Sequence, residues 1–423
     1  TVLLINIIYS LLQDLKLDPV NWVYGASPLI GTLGKPENVS LLLGIGIATL
    51  ASYLISSSTN SKIRIAIIFV IFLAGYEIIR TGSAQGVIIS ILAIVLNLFL
   101  MLRLRTRNSL VLSSYLGIGF IGGVFALFGS LNIGPLSSLL YSSTSAERGD
   151  YWRAAINMIK ENPFFGVGLD SYGDWYRSTR TLEATLRHGP SFVTNSAHNV
   201  FLDIAANSGL IALFAYLAII VISLRAGFKI ISKQKHFEPF QVAVFTAWIG
   251  YLVQANISTN NLEIGLWGWV LPGLLIAMER WSREGAESNN LKKVEAAAPK
   301  KLELSGVIVF IGLLIGGVIG FLPFNTDASF RHAMAKGDST LISKSAYKWP
   351  QDTDRMIYIA QIYNNNGMPD EALTITKSIT SFNPRNFAAW IYVYNASSTS
   401  AAEKTRIVGI LRKLDPHNPE LKK

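Results

Sequence analysis

The stretch AQGVIISILAIVLNLFLML, residues Ala84–Leu102, decides the fold because it carries no charge and has the length of a membrane-spanning helix. A helix needs about 20 apolar residues to cross a bilayer. Comparable stretches recur at Val39–Ser57, Ile63–Ile79, Leu110–Ser130, Asn199–Leu224, Phe240–Ala255, Ile264–Met278 and Leu304–Leu322. The 423 residues are 50% hydrophobic and only 15% charged, whereas soluble domains carry about 25% charged residues. We therefore predict an all-α fold, a polytopic bundle of transmembrane helices.

The net charge of +10 is explained by the orientation of the helices in the membrane, because the basic residues are unevenly distributed along the chain. We therefore expect no nucleic-acid partner. Basic residues are concentrated in alternate connections, at Lys62 and Arg64, Arg103–Arg107, Arg225–Lys235 and Arg280–Lys301. The positive-inside rule places these connections in the cytoplasm. Cysteine is absent, which excludes disulfides and thiolate metal sites.

This orientation predicts the organisation of the chain. Residues 1–281 form a transmembrane domain, 282–303 a charged cytoplasmic linker, 304–322 the last transmembrane helix, and 323–423 an extracytoplasmic helical tail. Within the first domain, Asn21–Asn38 and a long connection at about 131–198 lie outside. Connections of this length without a span are usually functional. Because Thr1 opens an apolar stretch, we also expect further spans to precede it.

The tail contains the sequence IYIAQIYNNNGMPDEALTITKSITSFNPRNFAAWIYVY, residues Ile357–Tyr394, which resembles a tetratricopeptide unit. Two antiparallel helices within about 34 residues and a proline-containing turn are typical of that repeat. The pattern covers one to two repeats, and such a tail could dock a protein partner. A helical hairpin packed beside the membrane domain is the alternative.

Polar stretches are concentrated on the predicted outer face. Gly31–Asn38, GTLGKPEN, has the composition of a turn before a span. Arg80–Gly86, RTGSAQG, is a tight connection that places Gln85 in the first turn of the next helix. Free backbone N–H groups at such a helix start attract anions.

A third outer stretch, Glu147–Tyr176, combines a helix with a glycine-rich turn. Arg148 and Trp152 are four residues apart and share a helix face, whereas Arg153 lies off that face. The helix is predicted to end at Asn162–Pro163. The turn PFFGVGLD then contains Gly166, Gly168 and Asp170, and its glycines permit close backbone approach. A solvated amphipathic helix is the plain alternative.

The fourth stretch, TNSAHNVFLDIAANSG at Thr194–Gly209, carries His198. We predict that Thr194, Asn195 or Ser196 caps the following helix, which places His198 in or next to its first turn. The positive helix end there favours a neutral imidazole that can accept a proton. Asp203 lies about 140° around the helix from His198, so we do not expect it to orient the imidazole. An ordinary polar helix cap is the alternative.

These motifs together resemble the O-antigen ligase and Wzy-type polymerase family, which includes bacterial protein O-oligosaccharyltransferases. The resemblance is carried by Gly31-x-x-Gly34-x-Pro36-x-Asn38, Ser83-x-Gln85-Gly86, Arg148-x-x-x-Trp152, Pro163-x-x-Gly166-x-Gly168 and Ala197-His198-Asn199 with Gly209. It covers roughly residues 25–280.

The resemblance implies a GT-C-type membrane glycosyltransferase in the bacterial inner membrane, with its site on the extracytoplasmic face. Such an enzyme moves a glycan, with inversion, from a polyprenyl-diphosphate donor to an acceptor hydroxyl without metal or cofactor. Arg148 is expected to bind the diphosphate, and His198 to orient or deprotonate the acceptor. Substrate-binding roles are expected for Gln85, Arg80, Trp152, Arg153, Asn199, Gly166, Gly168 and Asp170.

The turn Ser83–Gly86 departs from the family, because many members have an arginine where this chain reads Ser-Ala-Gln-Gly. Gln85 donates hydrogen bonds but supplies no charge. We expect Arg80, Arg153 or Arg177 to supply the positive charge that this turn lacks.

Two other classes of function compete with the transferase. A transporter or flippase of lipid-linked sugars would place ionisable residues near the bilayer midplane, where these spans have almost none. An assembly protein that recruits partners through its tail would need fewer spans. Within the transferase hypothesis, ligation to lipid, polymerisation of glycan and transfer to protein remain open.

Overall fold

The computed structural model describes residues 2–18, 29–106, 108–130, 133–135, 137, 143–259, 261–291 and 304–421. The described residues are helical and contain no strand, as the predicted all-α fold requires. Residues 21–28 of the predicted outer stretch, the gaps within 131–142, and residues 292–303 of the predicted linker lie outside this part of the chain.

The helices follow one another in the order α1 Val2–Asp14, α2 Pro36–Ile55, α3 Ser61–Thr81, α4 Ala84–Arg105, α5 Ser109–Ser130, α6 Ser143–Glu161, α7 Tyr172–Thr179, α8 Leu182–His188, α9 Val200–Lys233, α10 Pro239–Ala255, α11 Leu262–Gly265, α12 Trp267–Leu291, α13 Leu304–Lys336, α14 Ser339–Ala346, α15 Thr353–Asn365, α16 Pro369–Phe382, α17 Phe387–Asn395 and α18 Ala401–Leu414. Each apolar stretch predicted to span a membrane lies in one of these helices or, for Ile264–Met278, across α11 and α12.

Five helical segments among the described residues are long and apolar enough to cross a membrane: Pro36–Ile55, Ala84–Arg105, Val200–Lys233, Leu262–Arg283 and Gly306–Lys336. Five of the eight predicted spans meet this measure of length and composition, and the stretches in α3, α5 and α10 do not. Helix α3 carries Lys62, Arg64, Glu77 and Arg80, α5 is apolar over residues 109–125, and α10 has 17 residues. The spanning segments nevertheless define a multi-pass membrane protein.

The chain divides into two compact units. In the first, residues 1–172 and 194–293, α2 is the central helix and packs against α3, α4 and α10. The backbones of α2 and α4 are in direct contact: a Cβ added to Gly86 would lie 2.2 Å from the Ser40 carbonyl oxygen. Ser40 Oγ accepts a hydrogen bond from Gly86 N at 2.9 Å and donates one to Ser83 O at 3.0 Å. This contact fixes the start of α4, where Gln85 lies.

The second unit comprises residues 173–193 and 294–423. Helix α13 runs without interruption through Pro323 to Lys336, so the predicted boundary between residues 322 and 323 falls inside a helix. Helices α14 to α18 then pack one against the next. Met356, Ile359 and Ile379 lie in one of their cores, and Trp390 and Ile407 in another. The tetratricopeptide assignment stays a prediction.

Candidate active site

A cavity of about 410 Å³ lies in the first unit and is formed by the polar ends of its helices. The residues that line it are Lys35, Glu37, Asn38, Gln85, Glu147, Arg148, Tyr151, His198, Ser258 and Thr259. The four polar stretches of the sequence therefore meet here, together with the connection between α10 and α11. Of the predicted site residues, the cavity brings together Arg148, His198 and Gln85.

Arg148 lies in α6, which packs against α9. Burial lowers the pKa of its guanidinium, and the nearby carboxylates of Glu37 and Glu147 act in the opposite direction. An arginine stays charged under such conditions. The cavity therefore contains a partly desolvated cation with a planar set of donors, which suits a phosphate or carboxylate group.

His198 lies directly before Asn199, the N-cap of α9, and therefore next to the first turn of the helix, one of the two positions that the sequence predicts. The predicted caps Thr194, Asn195 and Ser196 are wrong, because Asn199 is the N-cap: its Oδ1 accepts hydrogen bonds from the backbone N–H groups of Phe201 and Leu202, both at 3.0 Å. Asn199 has the extended backbone that a cap requires. His198 precedes it with a φ of 52°, a left-handed conformation that is uncommon for a residue other than glycine.

The segment that carries His198 is held by Asp203. The Asp203 carboxylate accepts hydrogen bonds from the Ala197 backbone N–H at 2.7 Å and from Ser196 Oγ at 2.9 Å. Ser196 Oγ in turn accepts a hydrogen bond from the His198 backbone N–H at 2.9 Å. Asp203 is thus an organiser of the backbone on both sides of Ala197, a role that the helix-face argument did not foresee.

The surroundings of His198 favour the neutral imidazole. Burial lowers the pKa of His198 below its ordinary value, and the positive charges of Arg148 and Lys35 lower it further. The carboxylates of Glu37 and Glu147 oppose this effect in part. A neutral imidazole can accept a proton from a hydroxyl group within hydrogen-bond reach.

Gln85 is the second residue of α4 and is 8% exposed. Ser83 caps the helix by accepting a hydrogen bond from Gln85 N, and the contact between α2 and α4 fixes this turn. The Gln85 side-chain oxygen is buried and has no hydrogen-bond partner among the described residues. An amide in this position can bind a polar ligand in the cavity.

Gly166 and Gly168 shape the turn that follows α6, but neither lines the cavity. Their φ angles are 70° and 118°, and Val167 N and Gly168 N donate to the carbonyls of Ala206 and Asn207 in α9. Gly209 interrupts α9 with a φ of 82°, and a Cβ there would lie 2.0 Å from Phe164 O. The glycines therefore dock the turn on a kink in α9.

The other predicted site residues lie outside the cavity lining. Arg80 pairs with Asp14, with Nη2 2.5 Å from Oδ1, and Arg153 is a largely exposed partner of Asp150 at 3.8 Å. The side chain of Asn199 caps α9 and donates a hydrogen bond from Nδ2 to Asn256 O at 3.0 Å.

Trp152 and Asp170 are the remaining residues that the sequence predicts for the site. Trp152 is half-buried and Asp170 is exposed, and neither lines the cavity. Arg177, the third expected replacement for the missing turn arginine, pairs with Asp415 at 3.3 Å in the second unit. Among the described residues, the second cation at the cavity is Lys35.

Sequence reasoning did not select Lys35, Glu37, Glu147, Tyr151, Ser258 and Thr259 as site residues. A signal existed for Lys35 and Glu37, because they belong to the GTLGKPEN motif, which we interpreted as a turn. Tyr151 is one helical turn after Arg148, so its position on the Arg148 side of α6 was also readable from the sequence.

Residues 68–217 match the family model described as O-antigen ligase. This match bears out the predicted resemblance to that family over residues 68–217, which include Gln85, Arg148 and His198. A comparison with curated proteins gives no match. The family implies glycosyl transfer of the ligase or polymerase type at a membrane.

Proposed function

We propose that this protein is a membrane glycosyltransferase that moves a glycan from a polyprenyl-diphosphate carrier to an acceptor hydroxyl. The observation that carries the proposal is the cavity in which Arg148, Lys35 and Gln85 lie beside His198, whose pKa is lowered by burial and by the charges of Arg148 and Lys35. Its place at the ends of α2, α4 and α6, and just before α9, suits a substrate with a polar head and a lipid tail.

The donor binds through its diphosphate. Arg148 offers planar, multidentate N–H donors to the phosphate oxygens, and Lys35 adds a second positive charge. Lys35 thereby replaces the arginine that many family members have in the turn occupied here by Ser83–Gly86. The amide of Gln85 contributes a neutral hydrogen bond from the start of α4.

Transfer proceeds by a single displacement. The acceptor oxygen forms a bond with the anomeric carbon while the bond from that carbon to the diphosphate oxygen breaks, and the electron pair leaves with the diphosphate. His198 takes the hydroxyl proton. Attack from the face opposite the leaving group inverts the anomeric centre, and the cations stabilise the charge that develops on the diphosphate. We assign no step to a metal ion.

The cavity lies on the extracytoplasmic face in this proposal, which the distribution of basic connections supports. The membrane is then the bacterial inner membrane, which holds the lipid-linked donor. Residues 323–423 provide a docking surface for a protein acceptor or partner. Lipid ligation, glycan polymerisation and protein glycosylation use the same chemistry and differ in the acceptor.

Reconstitution tests the proposal. The purified protein in liposomes with a polyprenyl-diphosphate glycan is offered lipid, glycan and protein acceptors in turn, with and without EDTA. We expect a transferred product with one class of acceptor, no effect of EDTA, and no product from His198→Ala or Arg148→Ala. Donor that crosses the bilayer without transfer would instead indicate a flippase.

Two control variants are matched to these substitutions. Arg153→Ala removes an exposed arginine from the same helix as Arg148. His236→Ala removes an exposed histidine from the connection between α9 and α10. Both should insert and transfer normally, and normal product from His198→Ala would overturn the assignment of the base.

A further inference from the structure

Two buried side-chain amides line the cavity from the starts of neighbouring helices in the first unit. Asn38 lies in α2 and is 3% exposed, and Gln85 lies in α4 and is 8% exposed. Asn38 Nδ2 and Gln85 Oε1 are buried and have no hydrogen-bond partner within the described part of the chain. Buried polar atoms in folded proteins are almost always hydrogen-bonded. The two amides therefore indicate a ligand that supplies the missing partners.

The two amides belong to one fixed surface. Gln85 is directly before Gly86, and Asn38 is two residues before Ser40. Ser40 Oγ accepts a hydrogen bond from Gly86 N at 2.9 Å. The contact continues one turn further along α2, where a Cβ added to Gly44 would lie 2.9 Å from Gly86 O. The first turns of α2 and α4 are therefore held together, and a ligand that binds both amides meets groups that are already in place.

The chemistry of the amides restricts what they can bind. Each side chain of Asn38 and Gln85 carries one acceptor oxygen and one donor NH2 group. Rotation of an amide by half a turn exchanges these two, so the pair offers donors and acceptors in either orientation. A phosphate oxygen only accepts hydrogen bonds and would leave the amide oxygens facing an anion. The group that fits between the amides must therefore both donate and accept.

The position of the amides indicates which part of the donor they contact. Lys35, the proposed second ligand of the diphosphate, directly precedes α2, and Asn38 is the third residue of that helix. The amides are thus next to the diphosphate in the proposed complex. In a sugar that is linked to a diphosphate through its anomeric carbon, the substituent on the adjacent carbon C2 is the nearest group of the ring. The amides are therefore placed to contact the C2 substituent.

An acetamido group at C2 has the geometry that two amides on different helices require. It is planar, and its C=O and N–H groups point in opposite directions, as in a trans peptide. One amide can donate to its oxygen while the other accepts from its N–H. A C2 hydroxyl carries its donor and its acceptors on a single atom, so both amides would have to converge on one point.

We propose that Asn38 and Gln85 recognise a 2-acetamido sugar as the diphosphate-linked residue of the glycan donor. The inference rests on the proposed glycosyl transfer, and it names the class of donor. Binding of a 2-acetamido sugar gives both buried amides a partner, whereas a sugar with a C2 hydroxyl leaves one of them without. Sites built to hydrogen-bond an N–H group reject analogues that lack it, because the polar groups of the site then stay unpaired.

A binding experiment tests the recognition without requiring transfer. The full-length protein in detergent is titrated, with no acceptor present, with two polyprenyl-diphosphate monosaccharides that differ only at C2. One carries a 2-acetamido-2-deoxyhexose and the other the corresponding hexose. We expect the acetamido compound to bind about tenfold more tightly, as measured by isothermal titration calorimetry. The same polyprenyl diphosphate without sugar gives the baseline for the diphosphate alone.

Two variants remove the amides and keep the shape of the side chains. Asn38→Leu and Gln85→Met should each lower the ratio of the two dissociation constants about threefold or more, and the double variant should bring it close to one. Comparison of the two compounds within one variant cancels any loss that they share. Asn364→Leu and Gln361→Met are the matched controls, because both change exposed amides of α15. They should keep the wild-type ratio.

Thermal unfolding distinguishes ligand recognition from a role of the amides in the fold. Without ligand, Asn38→Leu and Gln85→Met replace an unpartnered buried amide by an apolar group of similar shape, which is neutral or stabilising. We expect both variants to unfold at or above the wild-type temperature. Unfolding at a clearly lower temperature, together with an unchanged ratio of dissociation constants, would show that the amides serve the fold and would overturn the inference.

The remaining outcomes separate the inference from the proposed function. Equal affinity of the wild type for the two compounds, or a preference that persists in the double variant, would overturn the recognition of the acetamido group. A wild type that prefers the acetamido compound but transfers no glycan to any acceptor refutes the proposed function and leaves the recognition intact. Transfer from both donors with equal kcat/KM supports the proposed function and contradicts the inference.

Discussion

His198 packs against Tyr151, with the two ring centroids 5.5 Å apart and the ring planes inclined by 36°. Tyr151 lies in α6 one turn after Arg148, and its backbone oxygen accepts the hydrogen bond of Tyr172. The helix that carries the cation therefore also supplies the surface against which the imidazole rests. His198, the proposed base, and Arg148, the proposed diphosphate-binding residue, are therefore both positioned by α6.

This contact predicts different effects for two substitutions of Tyr151. Tyr151→Phe keeps the ring and should retain most of the transfer rate, although it loses the hydroxyl and its 3.3 Å hydrogen bond to Glu147. Tyr151→Ala removes the ring and should lower kcat about a hundredfold, because a small misplacement of a catalytic group is costly. Steady-state kinetics with both variants decides the matter. Equal rates for the two variants would contradict the packing role.

The pH dependence of transfer follows from the neutral state of His198. Because burial, Arg148 and Lys35 lower its pKa, the acidic limb of the kcat/KM profile should have its midpoint below about 6.5, the ordinary value for histidine. Activity is present above this midpoint and is lost as the pH falls through it. Lys35→Gln removes a positive charge and should move the midpoint to higher pH.

Lys160→Gln provides the control for that shift, because Lys160 lies in the last turn of α6 and does not line the cavity. Its profile should coincide with that of the wild type. A midpoint above 6.5, or one that Lys35→Gln moves to lower pH, would be incompatible with His198 as the base.

Asp203 should affect catalysis through the backbone of the His198 segment. Asp203→Asn keeps the volume but cannot accept both the Ala197 N–H and the Ser196 hydroxyl with two carboxylate oxygens. We expect kcat to fall about tenfold with the KM for the donor unchanged. Glu238→Gln, a change of the same kind at the start of α10, should leave both constants unaltered. A selective rise in donor KM would argue against this role.

Gly209 should be intolerant of any side chain. Gly209→Ala places a Cβ 2.0 Å from Phe164 O and at a φ of 82°, so we expect the protein to lose about 1–3 kcal/mol or more of stability. Thermal unfolding in detergent measures the change. Gly75→Ala meets no atom within 4 Å in α3 and should unfold at or slightly above the wild-type temperature. Similar melting of the two variants would refute the docking of the turn on α9.

The helices were predictable from the sequence because their signal is local. Apolar stretches of spanning length are visible without any knowledge of tertiary contacts, and they fall on helices, with Ile264–Met278 lying across α11 and α12. The predicted span in α3 does not meet the measure of length and composition because that helix carries charges such as Glu77. The N-cap of α9 was misplaced because Thr194, Asn195, Ser196 and Asn199 are all residue types that can cap a helix, and only the hydrogen bonds that Asn199 Oδ1 accepts from the backbone of Phe201 and Leu202 identify the cap.

The candidate site was predictable only in part. Arg148 and His198 were found because the motif order and the topology place them on one side of the membrane. Lys35 was missed because the glycines and the proline around it are equally typical of an ordinary turn and of a binding site. The pairing of Arg177 and Arg180 with Asp415 spans more than 200 positions in the chain, and no local pattern reveals such a contact.

The direct backbone contact between α2 and α4 has a consequence for engineering this protein. Ser40 bridges Gly86 N and Ser83 O, and the space beside Gly86 admits no larger residue. A larger residue at position 86, next to Gln85 in the cavity wall, would therefore separate the two helices. Ser258 and Thr259 line the cavity from a connection outside the helices. Mutant libraries that aim to change the acceptor specificity should vary Ser258 and Thr259 and keep Gly86, where α2 and α4 are in contact.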